Sequence, residues 1–520
     1  MNKYFNIAGP CNPKKHYMLP AQERCQGLSG LLDQGVYFVI HAARQTGKTT
    51  LLLDLAQEVN AAGRYDALYC SLEAAQNISE PERGIPVIVD QVSQWLQVHE
   101  HLRSYPFAEH VVPAQFATML QRAFTELCRQ LDRPLVVLFD EVDCLSNGTL
   151  IAFLRQLRAG YVQRSLAPFP HSIALVGMRN IRDYKARIRD DRETLGSASP
   201  FNIVTESLTL RNFTQDEVAR LYAQHAAQTG QLFPPPVVAA IYDHTQGQPW
   251  LVNAVAREIV VKMLGSDYSR ALTPDLVEQA VQALILSRPT HIDSLMERLK
   301  EARVQRIVEP VVMGKQQRYD LLDDDYRYVL DLGLLTETPA GLSPSNPIYA
   351  EVLLRTLTFR TQQELADLRL PAAAPAYLVD GKLDMRRLLG DFQAFWREHS
   401  EMWIERFQYK EAAPHLILQA FLQRVINAGG RIHRELAAGG GRLDTCLEYG
   451  GARYPIEIKL RYGAQTYAEG RAQLAGYLER LGCTEGWLVV FDRRPEVSWR
   501  KKIFWRTRRE AGKTIHVVGC

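Results

Sequence analysis

Two stretches of this 520-residue chain bring together residue types that do chemistry. In GRLDTCLEYGGARYPIEIKL, Asp444 precedes the triplet Glu457-Ile458-Lys459, with twelve residues between. Two carboxylates are ligands that a hard cation such as Mg2+ accepts. A lysine beside a metal can activate water or steady a phosphorane. The plain alternative is the solvated face of an ordinary hairpin. The other stretch, AARQTGKTT, fits GxxxxGK[ST] with Ala42 in the first glycine's place. Its loop, Ala42, Arg44, Gln45, Thr46 and Gly47, aims backbone amides at phosphate, as does the helix N-terminus that follows at Lys48, Thr49 and Thr50. Lys48 is expected on the β/γ-phosphates and the Thr49 hydroxyl on Mg2+. Alanine is the mildest replacement for a turn glycine, so the site is expected to survive it. Two partner motifs extend the set. RPLVVLFDEVDCL ends an apolar run in Asp140, expected to hold Mg2+ through water, and Glu141, expected to polarise the attacking water. HSIALVGMRN ends in Arg179 and Asn180, which places a cation where γ-phosphate charge develops; a surface arginine is the other reading of Arg179.

These residues need particular elements to hold them. GVYFVIHA (Gly35 to Ala42) is short, apolar and β-branched, a buried strand; LLLDLAQEVNAAG has helical periodicity and a closing glycine. Strand, loop and helix are the setting a phosphate loop requires. LVVLF (Leu135 to Phe139) is a continuous apolar run, as in a parallel strand covered on both faces. Thr214, with Glu217 three residues on, predicts a capping box opening a helix. Pro249 suits a helix's first turn. Residues 325–338 read as a helix ending at Gly333 and a strand, PAGLSPSN as a turn, and PIYAEVLLRTL as a helix, together a winged helix. LRLPAAAPAYLVDGK (Leu368 to Lys382) breaks all periodicity and reads as a linker. In the first stretch, GRLDTCLEY and YPIEIKL form a hairpin whose alternation puts Glu457 and Lys459 on one face and Ile458 on the other. With Asp444 beside them, the three are expected to cluster in a solvent-reachable cleft.

Composition sets the outer bounds. The length exceeds one hydrophobic core, so several domains are expected. Apolar residues make up 46% and charged residues 23%, the mix of a folded soluble protein. Net charge is only +3, so affinity for polyanions must come from local patches. One such patch is DRRPEVSWRKKIFWRTRREAGK, with cations for phosphates and Trp499, Phe504 and Trp505 for stacking. A solvated edge over a small aromatic core is its plain alternative. Eight cysteines lie singly with no CxxC, which argues against structural zinc and a disulfide framework and fits a reducing cytosol. No run reaches membrane-spanning length, so a cytoplasmic protein without a membrane partner is expected.

AARQTGKTT, VVLFDEVD and the strand ending GMRN resemble the AAA-like P-loop ATPases of the STAND type. The resemblance implies a strand between the two motif strands, a Walker B glutamate as base, and a helical lid carrying Gly247-Gln248-Pro249, with Pro249 near the nucleotide. The segment FNIAGPCNPKKHYMLPAQER resembles the family's approach to the adenine pocket, and makes Tyr17 and Arg24 pocket or structural residues. A winged helix in such proteins relays the ATPase state, with DNA reading as its sharper alternative. From about Glu411 to Asp492 the chain is similar to the PD-(D/E)xK nuclease superfamily, with Leu443 where that motif has proline. This implies Asp444 and Glu457 as metal ligands, Lys459 as base or electrophile, a further carboxylate from Glu411 or Glu435, and Gln473 orienting substrate.

The expected fold is α/β and multidomain. A P-loop ATPase core with a parallel sheet spans 1–210, a helical lid 211–290, a winged helix 291–367, a linker and connecting helix 368–400, and an α/β restriction-endonuclease-like domain 401–520. The expected function is an ATPase, with ATP and Mg2+ as cofactors, whose cycle regulates a Mg2+-dependent nuclease. Expected partners are nucleic acid, DNA first, and further copies of the chain. The competing reading is a signalling or scaffold ATPase whose C-terminal domain binds nucleic acid or protein without cutting.

Overall fold

The computed structural model describes the chain apart from residues 1–2, 108–114, 179–203, 288, 313–319, 321–322, 340, 354–355, 358–376, 407–413, 415–416, 420, 423–430, 439–440, 462–465, 493 and 495–496, and apart from the side chains of 399–406, 431, 434–438, 441–443 and 466. Arg179, Asn180, Glu411 and Arg493 fall outside the described residues, as does the Glu435 side chain. The chain forms two compact units. One comprises 1–295 with 318–338 and 343–348, the other 296–317 and 339–342 with 349–520.

Four apolar runs and one more polar edge strand build the first unit's sheet. The strands are β1 (Tyr37–His41), β2 (Asp66–Ser71), β3 (Leu135–Asp140), β4 (Ser172–Gly177) and β5 (Val204–Thr209), in the order β2-β3-β4-β1-β5. All pair in parallel. Alternation along β1 feeds two cores. Tyr37 and Val39 pack with helices Pro81–Val98 and Phe116–Gln130, while Phe38 and Ile40 pack with helix Lys48–Ala62. Burial on both faces is why these strands read as unbroken apolar runs. Strand β4 lies between β1 and β3, so the two motif strands are separated by one strand.

The helical segment that follows opens with helix Gln215–Thr229, entered through the predicted box. Glu217 N donates to Thr214 Oγ1 at 3.2 Å, and Thr214 N donates to Glu217 Oε2 at 2.8 Å. Helix Pro249–Arg257 starts on Pro249. Just ahead, Gly247 has φ +69° and lies so close to the Phe213 carbonyl that any side chain would overlap it. Further on come helix Asp324–Asp331, Gly333 at φ +73°, β6 (Leu335–Thr338), β7 (Gly341–Pro344) and a helix over 347–353. The expected turn at 341–344 is therefore a strand. Part of the expected linker lies outside the described residues. The described part of it is folded: Tyr377 is buried, and β8 (Leu378–Val379) pairs with β9 (Lys382–Leu383). Its polar loop residues are anchored by a buried ring, which composition alone does not show.

In the second unit a six-stranded mixed sheet runs β10-β11-β12-β13-β15-β14. The strands are β10 (Arg431–Ala438), β11 (Gly441–Tyr449), β12 (Ala452–Arg461), β13 (Glu485–Asp492), β14 (Phe504–Glu510) and β15 (Lys513–Gly519). Strands β12, β13 and β15 are parallel neighbours, and the remaining pairs are antiparallel. Period-two alternation again sorts the side chains. Ile456, Ile458, Trp487 and Val489 meet Phe392 and Trp396 of helix Met385–Arg406 on one face. Leu488, Val490 and Val517 meet Leu474 and Leu478 of helix Thr466–Arg480 on the other. No helix among the described residues is long and apolar enough to cross a membrane.

Candidate functional site

The loop after β1 turns through two left-handed residues, Gln45 (φ +56°) and Gly47 (φ +99°), before the helix begins at Lys48. Glycine adopts this conformation without strain. Thr46 Oγ1 ties the loop by donating to the Ala43 carbonyl at 2.9 Å. Lys48 is buried, and its Nζ donates to the Ala42 and Ala43 carbonyls, each at 2.9 Å. Burial pulls its pKa down against the opposing charges of Asp143, Glu141 and Asp140. Ala42 is itself buried, and its carbonyl takes part in holding the lysine.

Asp140, at the end of β3, gathers this machinery. Its Oδ2 accepts from Thr49 Oγ1 at 2.6 Å and from the Tyr69 hydroxyl at 3.1 Å; its Oδ1 accepts from Glu141 N at 2.9 Å. Glu141 stands in the left-handed region at φ +56°, a conformation that costs a non-glycine residue energy and is common at functional sites. Its pKa is raised, first by burial and then by Asp143 and Asp140. A carboxylate so shifted is a better proton acceptor near neutral pH.

A cavity of about 460 Å³ opens over this loop. Arg44, Gln45, Thr46, Gly47, Lys48, Thr49, Thr50 and Glu141 line one end. Ile7, Tyr17, Leu19, Phe213, Pro249 and Trp250 line a more apolar part. The segment around Pro249 is tied to this lining at two points: Gln248 Nε2 donates to the Arg44 and Gln45 carbonyls at 3.4 Å, and Trp250 Nε1 donates to the Ile7 carbonyl at 2.8 Å. Gly333 also approaches the loop, since a Cβ there would meet Ala43 Cβ at 2.5 Å. The roles of Ile7, Trp250 and Gly333 are not readable from motif spacing, because each arrives from a distant part of the chain.

In the second unit Asp444, Glu457 and Lys459 do converge. Pairing of β11 with β12 runs from Tyr449↔Ala452 to Thr445↔Ile456. At the next step the Asp444 carboxylate takes over, its Oδ2 accepting from Ile458 N at 2.7 Å. Lys459 Nζ lies 2.7 Å from Glu457 Oε1. The expectation of an open cleft is corrected at Glu457, whose side chain is 0% exposed while that of Lys459 is 27% exposed. The cause is its place in an interior strand: β12 has neighbours on both edges, and helix Thr466–Arg480 covers this face. Gly470 of that helix permits the approach, for a Cβ there would meet Lys459 Cγ at 3.2 Å. Glu457 Oε2 is buried without a hydrogen-bond partner. Burial, then the Asp444 charge, push the Glu457 pKa up. Burial alone would lower Lys459, but the Glu457 carboxylate outweighs it and holds the ammonium charged. Gln473 Nε2 donates to the Tyr477 hydroxyl at 2.9 Å. Among the described residues no group of three or more His, Cys, Asp and Glu is arranged to hold a metal, so Asp444 and Glu457 would act as a pair.

The basic segment forms the sheet's outer strand β14 and the short helix before it. Arg500, Lys501, Arg506, Arg508 and Arg509 are exposed. Arg494 is not a free cation of this patch, because Asp492 holds it at 2.6 Å. Trp499 and Trp505 pack against the core beneath, with Arg386 5.0 Å over the Trp505 ring.

A family model described as an AAA-like domain matches residues 14–354, and one described as a domain of unknown function (DUF8371) matches 392–494. No match was found among curated proteins. Among solved structures the chain is similar to a Walker-type ATPase of Pyrococcus abyssi, at 14% identity over 67% of this chain and 99% of that one, with TM-score 0.48. It is also similar to the ORC2 protein of Aeropyrum pernix, at 16% identity over 65% and 92% of the two chains, TM-score 0.36. Cdc6p of Pyrobaculum aerophilum gives 15% identity over 69% and 97%, TM-score 0.38.

Proposed function

We propose, from the premise that this chain belongs to the AAA-like domain family, that its first unit binds and hydrolyses ATP and that this cycle regulates a metal-dependent nuclease site in the second. Membership supports the ATP-binding, P-loop ATPase assignment. The observation that carries the first part is the meeting of Lys48, Thr49 and Glu141 in the lining of a nucleotide-sized cavity, with Asp140 bonded to Thr49 behind them. The Thr49 hydroxyl and Asp140 carboxylate already touch, a pair of hard oxygens that fits Mg2+ directly or through water. The ion would neutralise charge on the β- and γ-phosphates. Lys48 would leave the loop carbonyls for the phosphates. Glu141 would accept the proton of the attacking water, and Arg179 would stabilise charge on the γ-phosphate. Gly333 against Ala43 gives the loop a mechanical neighbour outside the core, which fits a relay of nucleotide state.

The nuclease part rests on Asp444, Glu457 and Lys459. The orphaned Glu457 Oε2 and the adjacent Asp444 carboxylate fit one divalent cation, with water as remaining ligands. Bound there, the ion would polarise a phosphodiester. Lys459 would assist the water, and the cations of β14 would hold the nucleic-acid backbone. The complete burial of Glu457 favours a second reading, in which Glu457 and Lys459 are a structural ion pair in a domain that binds without cutting. The ATPase part is tested with Glu141→Gln: the variant should bind ATP as the parent does and turn it over about 100-fold more slowly or worse. Turnover at the parent rate would remove Glu141 from the role of base.

A further inference from the structure

Arg24 is 5% exposed, yet among the described residues no carboxylate pairs with its guanidinium. It lines the cavity at the end of a short helical turn, Ala21–Arg24. Its Nη1 donates to the Arg211 carbonyl at 2.8 Å, its plane lies 4.7 Å over the Phe213 ring, and its Nε has no partner. The nearest acid is already committed, because Glu217 binds Arg211 through both oxygens at 2.7 and 2.8 Å. Arg211, itself well exposed, takes up the Glu217 charge, so the buried Arg24 guanidinium keeps its own charge uncompensated. Burial accordingly pulls the Arg24 pKa down to about 10. A buried cation without a counter-ion is costly, and its persistence points to an anion that arrives with a ligand.

The position selects the anion. Nη2 lies over the phosphate loop, where a Cβ on Gly47 would meet it at 2.9 Å. The charged groups around Arg24 are Glu217 and Arg211, whereas those around Lys48 include Asp143, Glu141 and Asp140. The two buried cations therefore reach one phosphate loop from differently charged surroundings. We infer that Arg24 is a phosphate-binding residue that contacts the α/β-diphosphate of the bound nucleotide, leaving the γ-phosphate to Lys48 and the Asp140–Glu141 end. This rests on the nucleotide-site reading and adds to it a second cation, supplied from the N-terminal segment.

Arg24→Met tests it, because methionine refills the volume over Phe213 without charge. The free protein should unfold at the same temperature or higher, since an uncompensated buried cation is gone. Affinity for ADP and for ATP should fall equally, by about 10- to 100-fold, while adenosine affinity stays at the parent value. Arg24→Lys, keeping the charge, should recover part of the loss. Parent-like ADP affinity in Arg24→Met would overturn the assignment. So would lower thermal stability with equal losses for adenosine and ADP in both variants, which marks a structural arginine. Failure of the nucleotide-site reading looks different: the parent itself would then show no ADP or ATP binding that depends on Lys48.

Discussion

Thr49, in the first turn of the helix that follows β1, and Asp140, at the end of β3, are carried by strands that are not neighbours, yet Thr49 Oγ1 donates to Asp140 Oδ2 across 2.6 Å. Only the parallel sheet, with β4 between β1 and β3, brings the two C-terminal strand ends to one edge. Asp140→Asn keeps an oxygen for Thr49 but removes the charge. We expect the variant to fold and to bind ADP, and to hydrolyse Mg·ATP about 100-fold more slowly. Steady-state phosphate release at saturating ATP checks this, and a parent-like rate would show that Asp140 merely positions Thr49.

The phosphate site was largely legible in the sequence because its parts are local. β1, the loop and the helix at Lys48 follow one another without interruption, and the DE pair ends an apolar strand. The left-handed conformation of Glu141 and the arrival of Trp250 and Gly333 were not legible, since long-range packing decides them. In the second unit, alternation put Glu457 and Lys459 on one face. It could not say that a helix covers that face, because alternation reports sidedness and not which side is wet. Burial of Glu457 depends on where β12 falls in the sheet, a property of topology.

Glu217 predicts an acid-labile first unit. The Arg211 guanidinium, with the Thr214 amide, holds its carboxyl at about 2 against an ordinary value of 4.5. A depressed carboxyl stabilises the fold fully above the ordinary value and loses that contribution as pH falls from 4.5 toward 2. Glu217→Gln should therefore flatten the stability profile in that window. At pH 7 it should cost roughly 1–2 kcal/mol, a discounted figure because Arg211 is well exposed. Denaturant titrations at several pH values read both effects. An unchanged slope in the variant would mean that other carboxylates set the acid limit.

Gly333 and Gly230 offer a matched comparison. Both have positive φ, +73° and +79°, but a Cβ at Gly333 would press on Ala43 of the phosphate loop, whereas one at Gly230 meets nothing within 4 Å. Alanine at either position should destabilise the unit by about 1 kcal/mol through backbone strain. Only Gly333→Ala should also weaken ATP binding, several-fold. Equal ATP affinity in the two variants, measured by calorimetry, would uncouple the Asp324–Asp331 segment from the loop.

The central claim is that one chain joins an ATPase to a metal-dependent nuclease, and one measurement addresses it most directly. Parent and Glu457→Ala proteins are incubated with Mg2+, ATP and end-labelled single- and double-stranded DNA and RNA, and strand cleavage and phosphate release are followed together. The account predicts that the parent cleaves at least one of these substrates. Glu457→Ala should cleave none, while folding and hydrolysing ATP at the parent rate. Intact substrates with the parent, or cleavage that persists without the Glu457 carboxylate, would contradict it and leave Glu457 and Lys459 as a buried structural pair.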